Sequence, residues 1–143
     1  MSVEVEVVRE VTDELVEAFG RLLPQLSGNA RALDADDLRT LVGWRGNRLL
    51  VARVGGQIVG TLTLVTFPIP TGLRAWIEDV VVDGTARGHG VGAALTQEAV
   101  RLARGDGART VDLTSRPSRA AANRLYERLG FRVRESKLYR LSD

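Results

Sequence analysis

The chain has 143 residues, 44% of them hydrophobic and 27% charged, with 20 Lys and Arg against 18 Asp and Glu for a formal net charge of +2. This length and composition suit one ordinary globular domain, residues 1–143, with a sizeable core; with no Cys and a single His, disulfides, thiolate nucleophiles and metal sites are not expected. No apolar run approaches the ~18 residues of a membrane span, and the start Met-Ser-Val-Glu-Val-Glu lacks the basic and apolar stretches of a signal peptide, so a cytoplasmic protein with no membrane partner is expected.

Residues 3–8 alternate Val and Glu, the pattern of a half-buried strand. Thr12, followed by Asp13 and Glu14, reads as a helix start, and Leu15, Phe19, Leu22, Leu23 and Leu26 continue at helical spacing. A second short helix is predicted over 34–42; its acidic cluster Asp34, Asp36 and Asp37 suits either helix capping or the attraction of a cationic ligand. Residues 49–54 and 58–66 read as strands joined in a hairpin at Gly55-Gly56, and 73–82 as a further strand after a turn over 67–72. A helix then carries Val91, Ala94, Leu95, Ala99 and Leu102 on one face and stops at Gly105-Asp106-Gly107. A strand over 108–114 follows. Ser118 is placed to cap a helix that reaches Leu129 and ends at Gly130, and residues 131–133 and 138–141 complete the pattern as one or two strands. The order β-α-α-β-β-β-α-β-α-β predicts an α/β fold with a central mixed sheet flanked by helices.

The most informative stretch is residues 80–93, Val-Val-Val-Asp-Gly-Thr-Ala-Arg-Gly-His-Gly-Val-Gly-Ala. An apolar strand runs into a glycine-rich turn and then into an amphipathic helix. Such a turn aims unpaired backbone N–H groups at one point, where the helix dipole adds positive potential. Glycine allows close approach and positive φ. The N–H groups of Gly88, His89, Gly90, Val91, Gly92 and Ala93, with the Arg87 side chain beside them, therefore form a candidate pyrophosphate cradle. His89 on an exposed turn offers its backbone rather than its imidazole.

A P-loop is excluded, since Gly-x-x-x-x-Gly-Lys-Ser/Thr does not occur. Gly88-x-Gly90-x-x-Ala93 formally fits the dinucleotide fingerprint, with Asp112 about 20 residues on. That fingerprint normally follows a first strand, whereas here most of the chain precedes the turn, and Asp112 lies inside its strand pattern.

Charge is unevenly distributed. Residues 1–83 hold 8 basic and 12 acidic residues, and 84–143 hold 12 and 6. A basic half suits a polyanion and an acidic half a protonated amine, although solvated surfaces vary in this way by chance. Nucleic acid is not expected as a partner: aromatic residues make up 5% of the chain and the arginines scatter at helical spacing.

As Arg87-x-x-Gly90-x-Gly92, the turn resembles the acyl-CoA signature of the GNAT superfamily of N-acetyltransferases. A second match, Asn123-Arg-Leu-Tyr126-Glu-Arg-Leu-Gly130-Phe131, and the strand Ile77-Glu78-Asp79-Val80-Val81-Val82 extend the resemblance from about Arg48 to the C-terminus. The resemblance implies acetyl-CoA as co-substrate and a small-molecule amine as acceptor, with a homodimer as a frequent assembly. It implies a cleft where the strand before the turn splays from its neighbour, so that main-chain groups of Val80, Val81 and Val82 meet the pantetheine and the thioester oxygen. It places Asn123 on the pantetheine and Tyr126 near the sulfur, as general acid. A phenol with pKa about 10 stays protonated at neutral pH and can donate to a thiolate. For the base, Glu78 acting directly or through water is favoured over Asp79 or water alone; as neighbours on a strand, Glu78 and Asp79 should face opposite sides. Arg116 and Arg119 are candidates for the ribose phosphate. The absence of Cys favours direct attack in a ternary complex. The alternative is a non-catalytic acyl-CoA-binding sensor or interaction module.

Overall fold

The computed structural model describes residues 2–142. Five strands form one sheet in the order β1-β2-β3-β4-β5, with β1 Val3–Val7, β2 Asn47–Val54, β3 Gln57–Ile69, β4 Gly72–Val82 and β5 Thr110–Leu113. Neighbouring strands are antiparallel except β4 and β5, which are parallel and joined through helix α3, Val91–Gly105. Helices α1, Asp13–Leu26, and α2, Ala35–Gly43, precede β2, and α4, Ala120–Arg128, follows β5. The predicted mixed sheet with flanking helices is present.

Local chemistry sets the helix starts. Thr12 accepts the Leu15 N–H at 3.2 Å and opens α1, whose Leu15, Ala18, Phe19 and Leu22 are buried at helical spacing. Asp34 and Asp37 form a reciprocal capping box on α2, and Asp36 pairs with Arg39. The acidic cluster is thus engaged at the helix start. Two apolar layers sandwich the sheet. Against one face, Val91, Leu95, Ala99 and Ala103 of α3 pack on Leu50, Leu62, Leu64, Ala75 and Ile77. Against the other, α1 and α2 pack on Leu49, Val51, Ile58 and Val81.

The C-terminal part departs from expectation in two ways. The N-cap of α4 is Arg119, with no side-chain capping bond, so Ser118 does not cap it. Gly130 does end the helical segment, at φ +101°. The strands expected over 131–133 and 138–141 are not formed, and residues 131–142 run as irregular chain. An alternating pattern describes what fits a half-covered pleated surface; it becomes a strand only when an edge and a covering layer are supplied. Neither reaches this segment, whose Val133, Leu138, Tyr139 and Leu141 lie exposed to solvent.

Candidate active site

Strands β4 and β5 are paired from Arg74↔Thr110 to Ile77↔Leu113, and there the pairing stops. Strand β4 continues to Val82, hydrogen-bonded only to β3. From Glu78 onward, its main chain therefore has one side free, which opens a cleft between the two strands. Val81 is buried under α1 and Val80 and Val82 pack towards α3. Their side chains hold the strand while the backbone lines the opening.

At the root of the cleft β4 carries a bulge. Thr63 pairs with Glu78 but Thr61 with Val81, so β4 has one residue more than β3 over this interval. Asp79 has φ +49°, the only positive φ at a non-glycine among the described residues. The bulge corrects the expectation of strict alternation: Ala75, Ile77, Val80 and Val82 share the α3 side, while Val81 faces α1. Glu78 and Asp79 are both exposed at the bend. Partial burial and then the neighbouring Asp79 charge raise the Glu78 pKa above the usual carboxylate range.

Next comes a braced turn. Asp83 accepts from Thr85 N and Thr85 Oγ1, each at 3.0 Å, and from Arg21 Nη1 of α1 at 3.2 Å. Gln25 of α1 accepts the Gly84 N–H at 2.9 Å. These bonds, led by the Thr85 N–H, hold the Asp83 carboxyl below its ordinary pKa. Sequence reading missed this brace, because Arg21 and Gln25 look like any polar face of a helix.

Beyond the brace, Arg87, Gly88, His89 and Gly90 are exposed. Gly88 at φ +85° and Gly90 at φ +77° are required for their conformation, since a side chain at either would meet open space. The first hydrogen bond of α3 runs from Ala94 N–H to Gly90 O at 3.0 Å. The N–H groups of Val91, Gly92 and Ala93 therefore have no intrahelical acceptor, and they stand at the positive end of a 15-residue helix. Gly92 has a different role: a Cβ there would lie 3.2 Å from Leu125 of α4 and 3.8 Å from Val82. Glycine at this point lets α4 rest against the mouth of the cradle, beside the end of β4.

That contact brings the second motif to the first. Tyr126, next to Leu125, is half-buried and stacks edge-on to Phe131, with ring centroids 5.9 Å apart. Burial raises its pKa, against a smaller lowering by the Arg119 charge, so the phenol is protonated at neutral pH. Its hydroxyl has no hydrogen-bond partner among the described residues, and none links it to Glu78. The Asn123 amide donates to Arg116 O at 3.1 Å, which ties α4 to the loop before it. Arg87, Arg116 and Arg119 are exposed and form no ion pair among the described residues. Free amides and unpaired arginines suit a polyanion. No group of residues suited to a metal ion occurs among those described.

The site can be set beside known proteins. The model of the acetyltransferase (GNAT) family matches residues 9–131. A glucosamine 6-phosphate N-acetyltransferase of Trypanosoma brucei brucei is 41% identical over 86 residues, covering 58% of this chain and 56% of that protein, little more than half its length. The crystal structure of a Trypanosoma brucei acetyltransferase superposes with a TM-score of 0.79 at 31% identity, over 99% of each chain. A structure described as a transcriptional regulator from Bacillus halodurans C-125 superposes with a TM-score of 0.82 at 29% identity, over 99% of this chain and 100% of that one. On the match over residues 9–131, with the glycine cradle and the α4 motif inside it, the chain belongs to the GNAT family of acetyltransferases.

Proposed function

We propose that the protein is an acetyl-CoA-dependent N-acetyltransferase that moves an acetyl group to a primary amine of a small molecule by direct attack in a ternary complex. The observation that carries this is the set of acceptor-free amides at Val91, Gly92 and Ala93, preceded by left-handed Gly88 and Gly90 and set beside the open edge of β4. The diphosphate of the co-substrate binds those amides, with Arg87, Arg116 and Arg119 as counter-charges and the Asn123 side chain towards the pantetheine. Its arm lies along the unpaired main chain of Val80, Val81 and Val82. One N–H there donates to the thioester oxygen and strengthens as charge develops on it.

An aliphatic amine arrives mostly protonated. Glu78, its pKa raised, takes the proton directly or through a water, and the neutral nitrogen attacks the thioester carbonyl. The C–N bond forms, the C–S bond breaks, and Tyr126 donates its proton to the departing thiolate. With no Cys in the chain, an acyl-thiol enzyme is not an intermediate. Initial velocities of thiol release, measured while both substrates are varied, should give intersecting lines; parallel lines would contradict direct transfer.

A second reading, a non-catalytic acyl-CoA-binding module, draws support from the likeness to the protein described as a transcriptional regulator. It predicts acetyl-CoA binding without turnover on any amine. A homodimer is part of the main proposal: the exposed Val133, Leu138, Tyr139 and Leu141 and the outer edge of β5 are surfaces that a second copy can cover.

A further inference from the structure

Helix α4 starts against the usual electrostatics. The first turns of α1 and α2 hold Asp13 and Glu14, and Asp36 and Asp37, which offset the positive end of each helix. The first turn of α4 holds no acidic residue, its N-cap is Arg119 with no side-chain bond, and Arg116 lies just before. Guanidiniums at the positive end of a helix oppose its formation, so this arrangement suits an anion brought from outside the chain. The charge also continues past the helix start. From Arg116 to Arg140 the chain holds eight basic residues against two acidic ones, Glu127 and Glu135. All eight basic side chains are exposed, and none forms an ion pair among the described residues. Elsewhere six arginines are paired: Arg21, Arg31, Arg39, Arg48, Arg53 and Arg101.

Packing sets which face of α4 carries this charge. Ala122, Asn123, Leu125 and Tyr126 are half-buried, and Leu125 rests against Gly92 beside the cradle. Ala121, Arg124 and Arg128 are exposed at helical spacing on the other side. Arg124 and Arg128 thus stand one turn apart on a helix whose inner face borders the proposed thioester slot. In the proposed complex Arg87, Arg116 and Arg119 already match the diphosphate and the ribose phosphate of coenzyme A. Arg124 and Arg128 lie outside that set, and nothing on the small ligand is left to neutralise them. Tyr126, the aromatic residue of α4, faces inward, which leaves a nucleic-acid base no ring on the outer face to stack on. Exposed Ala120 and Ala121 keep the surface beside the two guanidiniums flat enough for a protein to approach.

We infer that the outer face of α4 docks an acidic carrier protein that bears the acyl group on a phosphopantetheine arm, a second donor besides acetyl-CoA. The phosphate of the arm takes the amides at the start of α3, and the arm lies along β4 as that of coenzyme A does in the proposed complex. The body of the carrier sits outside the mouth of the slot, and its carboxylates meet Arg124 and Arg128. The two donors therefore exclude one another. The transfer balances as before: the C–N bond to the amine forms, the C–S bond breaks, and the thiolate left on the carrier's arm takes up the proton. A field of one sign around a narrow slot also speeds encounter with a partner of the opposite sign. The inference rests on the acetyltransferase reading and extends it to the source of the acyl group.

Calorimetry tests this without an acceptor. The full chain is titrated with acyl carrier protein bearing an acetyl group on its arm, with acetyl-phosphopantetheine as the arm alone, and with acetyl-CoA. The acetylated carrier should bind roughly ten- to a hundredfold more tightly than the arm alone, the range for two charge-assisted contacts, and acetyl-CoA should displace it. That advantage should shrink as salt is added. Arg124→Glu with Arg128→Glu should bring the carrier's affinity down to that of the arm while acetyl-CoA affinity stays within about twofold, as expected of exposed charges outside its contacts; Arg124→Gln with Arg128→Gln should fall between. A carrier that binds no more tightly than the arm, binding that acetyl-CoA does not displace, or an advantage that survives the charge reversal would overturn the inference while acetyl-CoA binding stands. A wild-type dimer that the charge reversal converts to monomer would also overturn it, since a second copy would then occupy this face. Failure to bind acetyl-CoA would instead remove the reading beneath it.

Discussion

In the proposed mechanism Tyr126 and Glu78 carry the proton transfers. Loss of acid catalysis typically costs on the order of 10²-fold, so Tyr126→Phe should lower kcat by about that factor while calorimetry finds acetyl-CoA affinity unchanged. Retained turnover would remove Tyr126 from the mechanism. Glu78 must be ionised to accept a proton, so kcat/KM should fall as pH drops through its raised pKa, and Glu78→Gln should abolish that acid limb. The same shift has a consequence for stability. A carboxyl with a folded-state pKa above its unfolded value binds more protons when folded, so its ionisation above that pKa disfavours the fold. Glu78→Gln should therefore raise the thermal midpoint slightly at pH 7, with the gain disappearing once both forms are protonated at acid pH. The partial exposure of Glu78 keeps this effect small. A gain in stability paired with a loss of rate is the outcome expected of a functional rather than a structural carboxylate.

The turn between β4 and α3 depends on α1, an element distant in sequence. Arg21→Met retains the packing stem but removes the bonds to Asp83 and Ile58 O, and should cost on the order of 1 kcal/mol and weaken acetyl-CoA binding. Asp83 has a depressed pKa, so this contribution is present above its unfolded value near 3.8 and is lost as pH falls through the folded one. Urea denaturation followed from pH 7 into the acid range should show the gap between wild type and variant narrowing as Asp83 takes up its proton. Elements differ in how far sequence foretells them. The tight turn before α3 was readable because glycine at Gly88 and Gly90 relates directly to backbone conformation, and the caps of α1 and α2 because Thr12 and Asp34 act within three residues of themselves. The Asp79 bulge was not, because Ile77-Glu78-Asp79-Val80 reads as a plain strand until paired with β3.

At the scale of the whole molecule, the N-terminal four strands are tied together by two apolar layers, while the C-terminal part is lightly held. Helix α4 has no fully buried residue and touches the cradle through Leu125, and residues 131–142 leave four large apolar side chains in solvent. The strand pattern in that segment was legible but its pairing was not, since a strand needs an edge that the local sequence does not supply. If a second copy covers this surface, light scattering after size exclusion should find a dimer, and Leu138→Arg with Leu141→Arg should shift it to monomer; a wild-type monomer at all concentrations would contradict the dimer. The proposed acetyltransferase chemistry depends throughout on main-chain amides at the start of α3. Two-dimensional amide spectra of the nitrogen-15-labelled chain, titrated with acetyl-CoA, test that at residue resolution. Saturable shifts, largest at Gly88, Gly90, Val91, Gly92 and Ala93, are expected. Unchanged amide signals there, or shifts confined to another part of the sheet, would contradict the proposal.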